Sequence, residues 1–196
     1  MNSYGLIDLH CDTLAEYWKY AHTGNPDTLD DPGRVLSLSN MPKDVHWAQF
    51  YAVFIPDEER GQAAIDYFEK NRANFYRQME KFGDRVAPCR NADDMEKAWA
   101  AGKTAAFLTI ENGSALAGDL SRVHTLAEQG VRAITLTWNG ENELGSGHVT
   151  DHGMSEFGRA AVREMEKENV LVDVSHLNDA GFADLLEVAT KPFIAT

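Results

Sequence analysis
Short, almost uninterrupted apolar runs recur along this chain, each separated from the next by a stretch of helical periodicity. Gly5 to His10 (GLIDLH), Trp47 to Ile55 (WAQFYAVFI, closed by Pro56), Thr104 to Ile110 (TAAFLTI), Val131 to Trp138 (VRAITLTW) and Val170 to Ser175 (VLVDVS) read as strands. Pro192 to Thr196 (PFIAT) reads as one more just beginning. Between them, Gly61 to Phe82 places Ile65, Phe68, Phe75, Met79 and Phe82 on a three/four spacing interrupted by Arg72, the signature of an amphipathic helix. A shorter helix is expected over Ala92 to Ala101, with Asn91 as N-cap and Gly102 as stop. Others are expected over Leu120 to Gln129, ended by Gly130, and from near Ser155, with Phe157, Ala161 and Met165 on one face. The last runs over Asn178 to Ala189, capped by Asn178.

Strands that are apolar at nearly every position are buried on both faces, which implies a largely parallel sheet covered by helices. Two architectures satisfy that order: an open doubly wound sheet and part of a (β/α)8 barrel. The open sheet calls for a glycine-rich phosphate loop after an early strand. Here CDTLAEYW follows the first strand, and Gly145 to Gly147 lacks the remaining spacing. The dinucleotide fingerprint of the open sheet is thus absent; the expectation here is an α/β fold of about six strands, open sheet or part of a barrel.

Composition narrows the partners. Hydrophobic residues make up 43% and charged residues 25%, as in a packed globular protein, which excludes a disordered chain. No run approaches the ~20 apolar residues of a membrane helix. The N-terminus lacks a basic region followed by an apolar one, and two cysteines make no disulfide framework, so a cytoplasmic location is expected. Thirty-one acidic against 18 basic residues give a net charge of −13, which disfavours nucleic acid and anionic membranes. Small molecules, metals and proteins remain.

The reactive residues fall at the C-terminal ends of the apolar runs: His10 and Asp12, Glu111, and His176. In a parallel barrel those ends share the rim on which active sites are built. The i, i+2 spacing of His10 and Asp12 puts both side chains on one side of the pleat, within reach of one metal ion. Each residue alone has a plain structural reading: a strand-end hydrogen bond, a salt bridge, a satisfied core histidine. Together on one rim they favour metal binding, because buried carboxylates and imidazoles are costly unless paired or metal-bound. The imidazole and carboxylate donors suit Zn²⁺ or Mn²⁺. A glutamate between two imidazole-bearing clusters can bridge two metals ~3.5–4 Å apart, an arrangement suited to hydrolysis.

Taken in order, GLIDLHCDTL at 5–14, FLTIENG at 107–113, GVRAITLTWN at 130–139, GMSEFGRAAVREM at 153–165 and LVDVSHLN at 171–178 resemble the membrane (renal) dipeptidase family of zinc peptidases. The resemblance implies a TIM-type (β/α)8 barrel with two zinc ions. A closed barrel takes ~250 residues, so residues 1–196 are read as a single barrel domain with about six of its eight strands present, truncated on its C-terminal side. It puts His10 and Asp12 on one metal, Glu111 between the two, and His176 on the second. The implied reaction is attack of a metal-bridging hydroxide on the peptide carbonyl of a small dipeptide. A further metal-binding histidine of the family belongs after the strand that begins at PFIAT, and its substrate-contacting arginine and aspartate belong to later strands. Some relatives carry a substrate-contacting histidine after the LTLT-type strand. Trp138 stands there instead, so Trp138 or Asn139 is expected to line the pocket, with plain packing as the rival reading of Trp138. His148, Asp151 and His152 lie in the glycine-rich loop; His152 is a candidate substrate contact and a solvated loop its rival. A homodimer stays open as the assembly.

Two other readings compete with the dipeptidase. One is another binuclear-metal barrel hydrolase, acting on cyclic amides or phosphoesters. The other is a truncated, inactive chain that needs its missing C-terminal part. Several residues are given bland roles. Cys11 is expected to be a small core residue facing away from His10, and the Asn112 sequon to stay unused beside Glu111. Asp57 to Glu59 and Asp93–Asp94 are expected as solvated helix starts. His22, His46 and His124 carry no pattern.

Overall fold
The structure, a computed structural model, describes residues 5–14 and 28–196; His22 lies outside them. Among the described residues there are six strands: β1 (Gly5–Cys11), β2 (His46–Phe54), β3 (Val86–Pro88), β4 (Thr104–Glu111), β5 (Val131–Thr135) and β6 (Leu171–Asp173). Five α-helices among the same residues alternate with them: α1 (Gln62–Lys81), α2 (Ala92–Ala100), α3 (Ser121–Glu128), α4 (Glu156–Lys167) and α5 (Asp179–Val188). The strand order is β1-β2-β4-β5-β6, with β3 attached to β4. The β1/β2, β3/β4 and β5/β6 registers are all parallel. Among the described residues, no helix is long and apolar enough to cross a membrane.

By internal packing the chain divides into two compact units, residues 1–53 with 70–108 and residues 54–69 with 109–196. In the first, Phe50 stacks on Phe107 and Tyr51 meets Phe75 edge-on. Asp30 receives both arms of the Arg85 guanidinium at 2.9 and 2.6 Å. In the second, Ile110, Leu116, Leu126, Ile134, Val162, Met165 and Leu185 form the buried core.

The helix boundaries follow their caps. Asn91 accepts from the Asp94 amide, Ser155 from Gly158 and Asn178 from Gly181, each satisfying an orphan N–H of a first turn. Gly102 adopts φ +69 just after α2, as a stop requires. Of the expected stripe, Phe68, Phe75 and Met79 on α1 and Phe82 just beyond it are buried; Ile65 and Arg72 sit at the flank, half-buried, and Ala64, Asn71 and Gln78 complete the buried face. Asn71 thus fills the place where Arg72 seemed to interrupt the pattern.

Four expectations are corrected. VRAITLTW stops being a strand at Thr135, because the Leu136 carbonyl is taken by the Gly113 amide and the Asn142 side chain. VLVDVS is a strand only over Leu171–Asp173, because Ser175 turns back onto the Asp173 carboxylate. The short β3 was not expected; among the described residues it pairs with β4 alone and ends on a proline, which an edge tolerates. Asp57 is not a solvated helix start, since it accepts from the Gly140 amide at 2.8 Å and the Asn112 amide at 3.2 Å. PFIAT does begin to pair: Ile194 bridges Asp173 in parallel.

Candidate metal centre
His10 owes its position to an irregularity in β1. Asp8 pairs with Gln49 but Cys11 with Tyr51, so β1 carries one residue more than β2 across this stretch. Such a bulge bends the strand and re-aims the side chains within it. Here the Asp8 carboxylate accepts the His10 amide at 3.1 Å. The strand ends at Cys11, so Asp12 lies just beyond it and the simple pleat argument does not apply. The two side chains nevertheless meet, His10 Nε2 standing 3.4 Å from Asp12 Oδ1. Cys11 is half-buried, and burial pushes its thiol up to about 12, the Asp8 and Asp12 carboxylates adding to the rise against hydrogen bonds from Thr13. It stays a neutral thiol, unlike the thiolate a metal takes.

Glu111 is the last residue of β4 and is almost fully buried. Its carbonyl accepts the Ile55 amide at 3.0 Å. The chain then turns at Asn112, which adopts φ +73. Asn112 is wholly buried; it donates to the Ile55 carbonyl and Asp57, and accepts from Ser114 and Asn142. An amide so engaged agrees with the reading that its sequon is unused. Arg60 ties the same corner together, donating to Ser114 Oγ at 2.8 Å and the Glu141 carbonyl at 2.7 Å.

His176 follows β6 in a left-handed conformation, φ +70, and its Nε2 lies 3.0 Å from Glu111 Oε1. Trp138 stands beside it, ring centroids 6.4 Å apart, and packs edge-on against Phe54 at 4.8 Å. Trp138 therefore combines packing with a place next to a reactive side chain. His10 with Asp12, and Glu111 with His176, are thus two imidazole–carboxylate pairs of the donor type a divalent cation takes.

The remaining candidates lie apart from this chemistry. His152 is exposed and faces Glu141 at 3.3 Å. Its carbonyl, like that of Thr150, is held by Asn178 Nδ2 at 2.7 Å, so the cap of α5 also anchors the glycine-rich loop. Asn139 is half-buried and accepts the Val149 amide through its carbonyl. His148 and Asp151 are exposed. His46 packs edge-on against Trp99, and His124 lies on the surface between Glu128 and Glu168. Sequence reasoning missed Asp57, Arg60, Asn112 and Asn142 as the framework of the Glu111 corner. An Asn after a strand-end Glu, facing a second Asn in a glycine-rich loop, was the available signal.

A parallel α/β half-barrel with imidazoles and carboxylates at its strand ends defines the class of metal-dependent barrel hydrolases. Within that class, residues 1–196 match the family described as membrane dipeptidase (Peptidase family M19), and the chain belongs to it. A dipeptidase, tcpJ, of Claviceps purpurea is 32% identical over 121 residues, which cover 59% of this chain and 28% of that protein. A metallopeptidase from Rhodobacter sphaeroides, solved with a phosphinate mimic of the dipeptide L-Ala-D-Ala, superposes with a TM-score of 0.88 at 21% identity. That match spans 100% of this chain and 65% of the other. An amidohydrolase from Pseudomonas aeruginosa gives a TM-score of 0.69 at 25% identity over 77% of this chain and 45% of that one. The chain thus spans less than two thirds of the length of these relatives.

Proposed function
We propose that this chain carries metal ligands of a dipeptidase that hydrolyses the peptide bond of small dipeptides. The observation that carries the reading is Glu111: a buried strand-end carboxylate with His176 Nε2 at 3.0 Å. A carboxylate is kept in so dry a position only when paired or metal-bound. The donor set fits the cofactor. His10, Asp12, Glu111 and His176 would hold it, and nitrogen and oxygen donors without thiolate suit two Zn²⁺ ions, with Mn²⁺ as the alternative. When bound, the metal supplies Lewis acidity toward the carbonyl and lowers the pKa of water.

The chain's own residues then have definite tasks. Glu111 Oε1 is the acceptor for the proton that attacking water gives up. Trp138 keeps an apolar wall beside His176, and Asn139, next in the chain, is a candidate to line the substrate pocket. His152 reaches the substrate only if it leaves Glu141. The substrate is a small dipeptide rather than a nucleic acid, in keeping with a charge of −13. Two free thiols suit a reducing compartment, and we place the protein in the cytoplasm.

The test is hydrolysis of a dipeptide panel by the purified protein, alongside lactams and phosphoesters. Dipeptide turnover that a chelator abolishes and Zn²⁺ restores is expected. Glu111→Gln should lower kcat/KM by at least ~100-fold. Turnover of lactams alone would replace the reading with cyclic-amide hydrolysis, toward which the amidohydrolase likeness points. Full activity in the presence of chelator would overturn both.

A further inference from the structure
His176 holds a left-handed backbone conformation, φ +70, that non-glycine residues seldom adopt. Something must over-determine it. The turn itself supplies one constraint: the Leu177 amide donates to the Val174 carbonyl at 3.1 Å, with His176 at the third position, where φ is positive. Asn178 then caps α5. The other constraint is Asp173, the last residue of β6, which is buried.

Both oxygens of Asp173 are engaged. Oδ1 accepts the Ser175 amide at 3.0 Å and Ser175 Oγ at 2.8 Å, an Asx turn that bends the chain directly before His176. Oδ1 also accepts the Thr196 amide at 3.3 Å. Oδ2 accepts Thr135 Oγ1 at 2.6 Å and Thr196 Oγ1 at 2.7 Å. These donors come from the end of β5, from the turn and from the segment that bridges β6. All are neutral groups aimed at one carboxylate. Burial raises its pKa, but these hydrogen bonds outweigh burial and hold it below the ordinary carboxylate value, so it is ionised at neutral pH.

We infer that Asp173 is a positioning residue for the metal centre: its carboxylate fixes the Ser175 turn, which holds His176 in its left-handed conformation with Nε2 directed at Glu111. The inference rests on the metal-ligand reading of His176. Asn at position 173 keeps one acceptor oxygen but points an NH₂ group at hydroxyls or amides that donate now. The turn relaxes, and His176 meets the metal in the wrong geometry.

The experiment measures Zn²⁺ affinity by competition with a chromophoric chelator in four proteins: wild type, Asp173→Asn, His176→Ala and the double variant. Outer partners of metal ligands are worth about 10–100-fold in affinity. Asp173→Asn should lose at least tenfold, and the visible spectrum of its Co²⁺ form should change shape. In the His176→Ala background the same substitution should cost nothing more, since Asp173 acts through His176. Equal losses in both backgrounds would make Asp173 a general structural residue, and unchanged affinity would end the idea. If wild type binds no divalent ion, the metal-centre reading itself fails, which is a separate outcome. Circular dichroism establishes that each variant folds. Should Asp173→Asn not fold, Ser175→Ala decides, because it removes only one hydroxyl arm. A loss of about fivefold is then expected, and undiminished affinity would overturn the inference.

Discussion
Single residues in this molecule often work by closing a corner rather than by filling space. Asp30 shows it away from the metal ligands. Its carboxylate receives both arms of Arg85, whose guanidinium also lies over the Phe82 ring at 5.1 Å. The Arg85 hydrogen bonds hold the Asp30 pKa below its ordinary value, and the same contact raises that of Arg85, so both partners agree. A carboxylate with a lowered folded pKa contributes stability above its unfolded value, and that stability is lost as pH falls through the folded one. Arg85 is 40% exposed and solvent screens the pair, which limits its worth to about 1 kcal/mol. Urea denaturation of Asp30→Asn at pH 7 should therefore show a loss of about 1 kcal/mol. The difference from wild type should begin to shrink as pH falls below about 4, the unfolded value, and disappear once pH passes the lowered folded value. A gap that stays constant down to pH 3 would show that shape, not charge, is what Asp30 supplies.

At the level of elements, the glycine-rich segment between β5 and α4 behaves as a built loop. The Gly147 amide donates to the Gly140 carbonyl and the Val149 amide to Asn139, while Asn178 grips two carbonyls further on. Backbone approaches so closely at Gly147 that a Cβ there would collide with the carbonyl oxygens of Trp138 and Asn139. Gly147→Ala must push that pair apart. Limited proteolysis should then cut within 139–153 at protease levels that leave wild type intact, and dipeptide KM should rise because Trp138 and Asn139 move. Resistance equal to wild type would mean that the loop absorbs the methyl group by a local shift. This loop also shows what the sequence could and could not tell. Strands β1, β2 and β4 were legible because their apolar runs stop abruptly, at polar residues after β1 and β4 and at Pro56 after β2, and reactive residues stand at the ends of β1 and β4. Caps at Asn91 and Asn178 were legible because their chemistry is local. The bulge that aims His10, the Asn112–Asn142 contact and the Asp173 anchor depend on partners 30 or more residues away, or on a two-for-one register, which periodicity does not carry. β3 was hidden because three residues ending in proline leave no pattern to count.

On the scale of the whole molecule, the candidate ligands are spread from His10 to His176, most of the length of the chain. A metal that binds all of them in the folded state binds the unfolded chain weakly, so its affinity becomes stability. At a free concentration one hundred times the dissociation constant, the gain is about 2.7 kcal/mol. For a chain of 196 residues each kcal/mol corresponds to roughly 2–4 °C, so Zn²⁺ should raise the melting temperature by roughly 5–11 °C. Glu111→Gln provides the control within the site. It keeps the size of the side chain but removes the charge beside His176, so most of the metal-dependent shift should vanish. Its melting temperature without metal should fall, since His176 loses its buried partner. Differential scanning calorimetry with and without Zn²⁺ reads both quantities in one experiment. An equal Zn²⁺ shift in wild type and Glu111→Gln would place the stabilising ion elsewhere. The absence of any shift in wild type at saturating Zn²⁺ would remove these four residues as a metal centre, whatever the rest of the fold resembles.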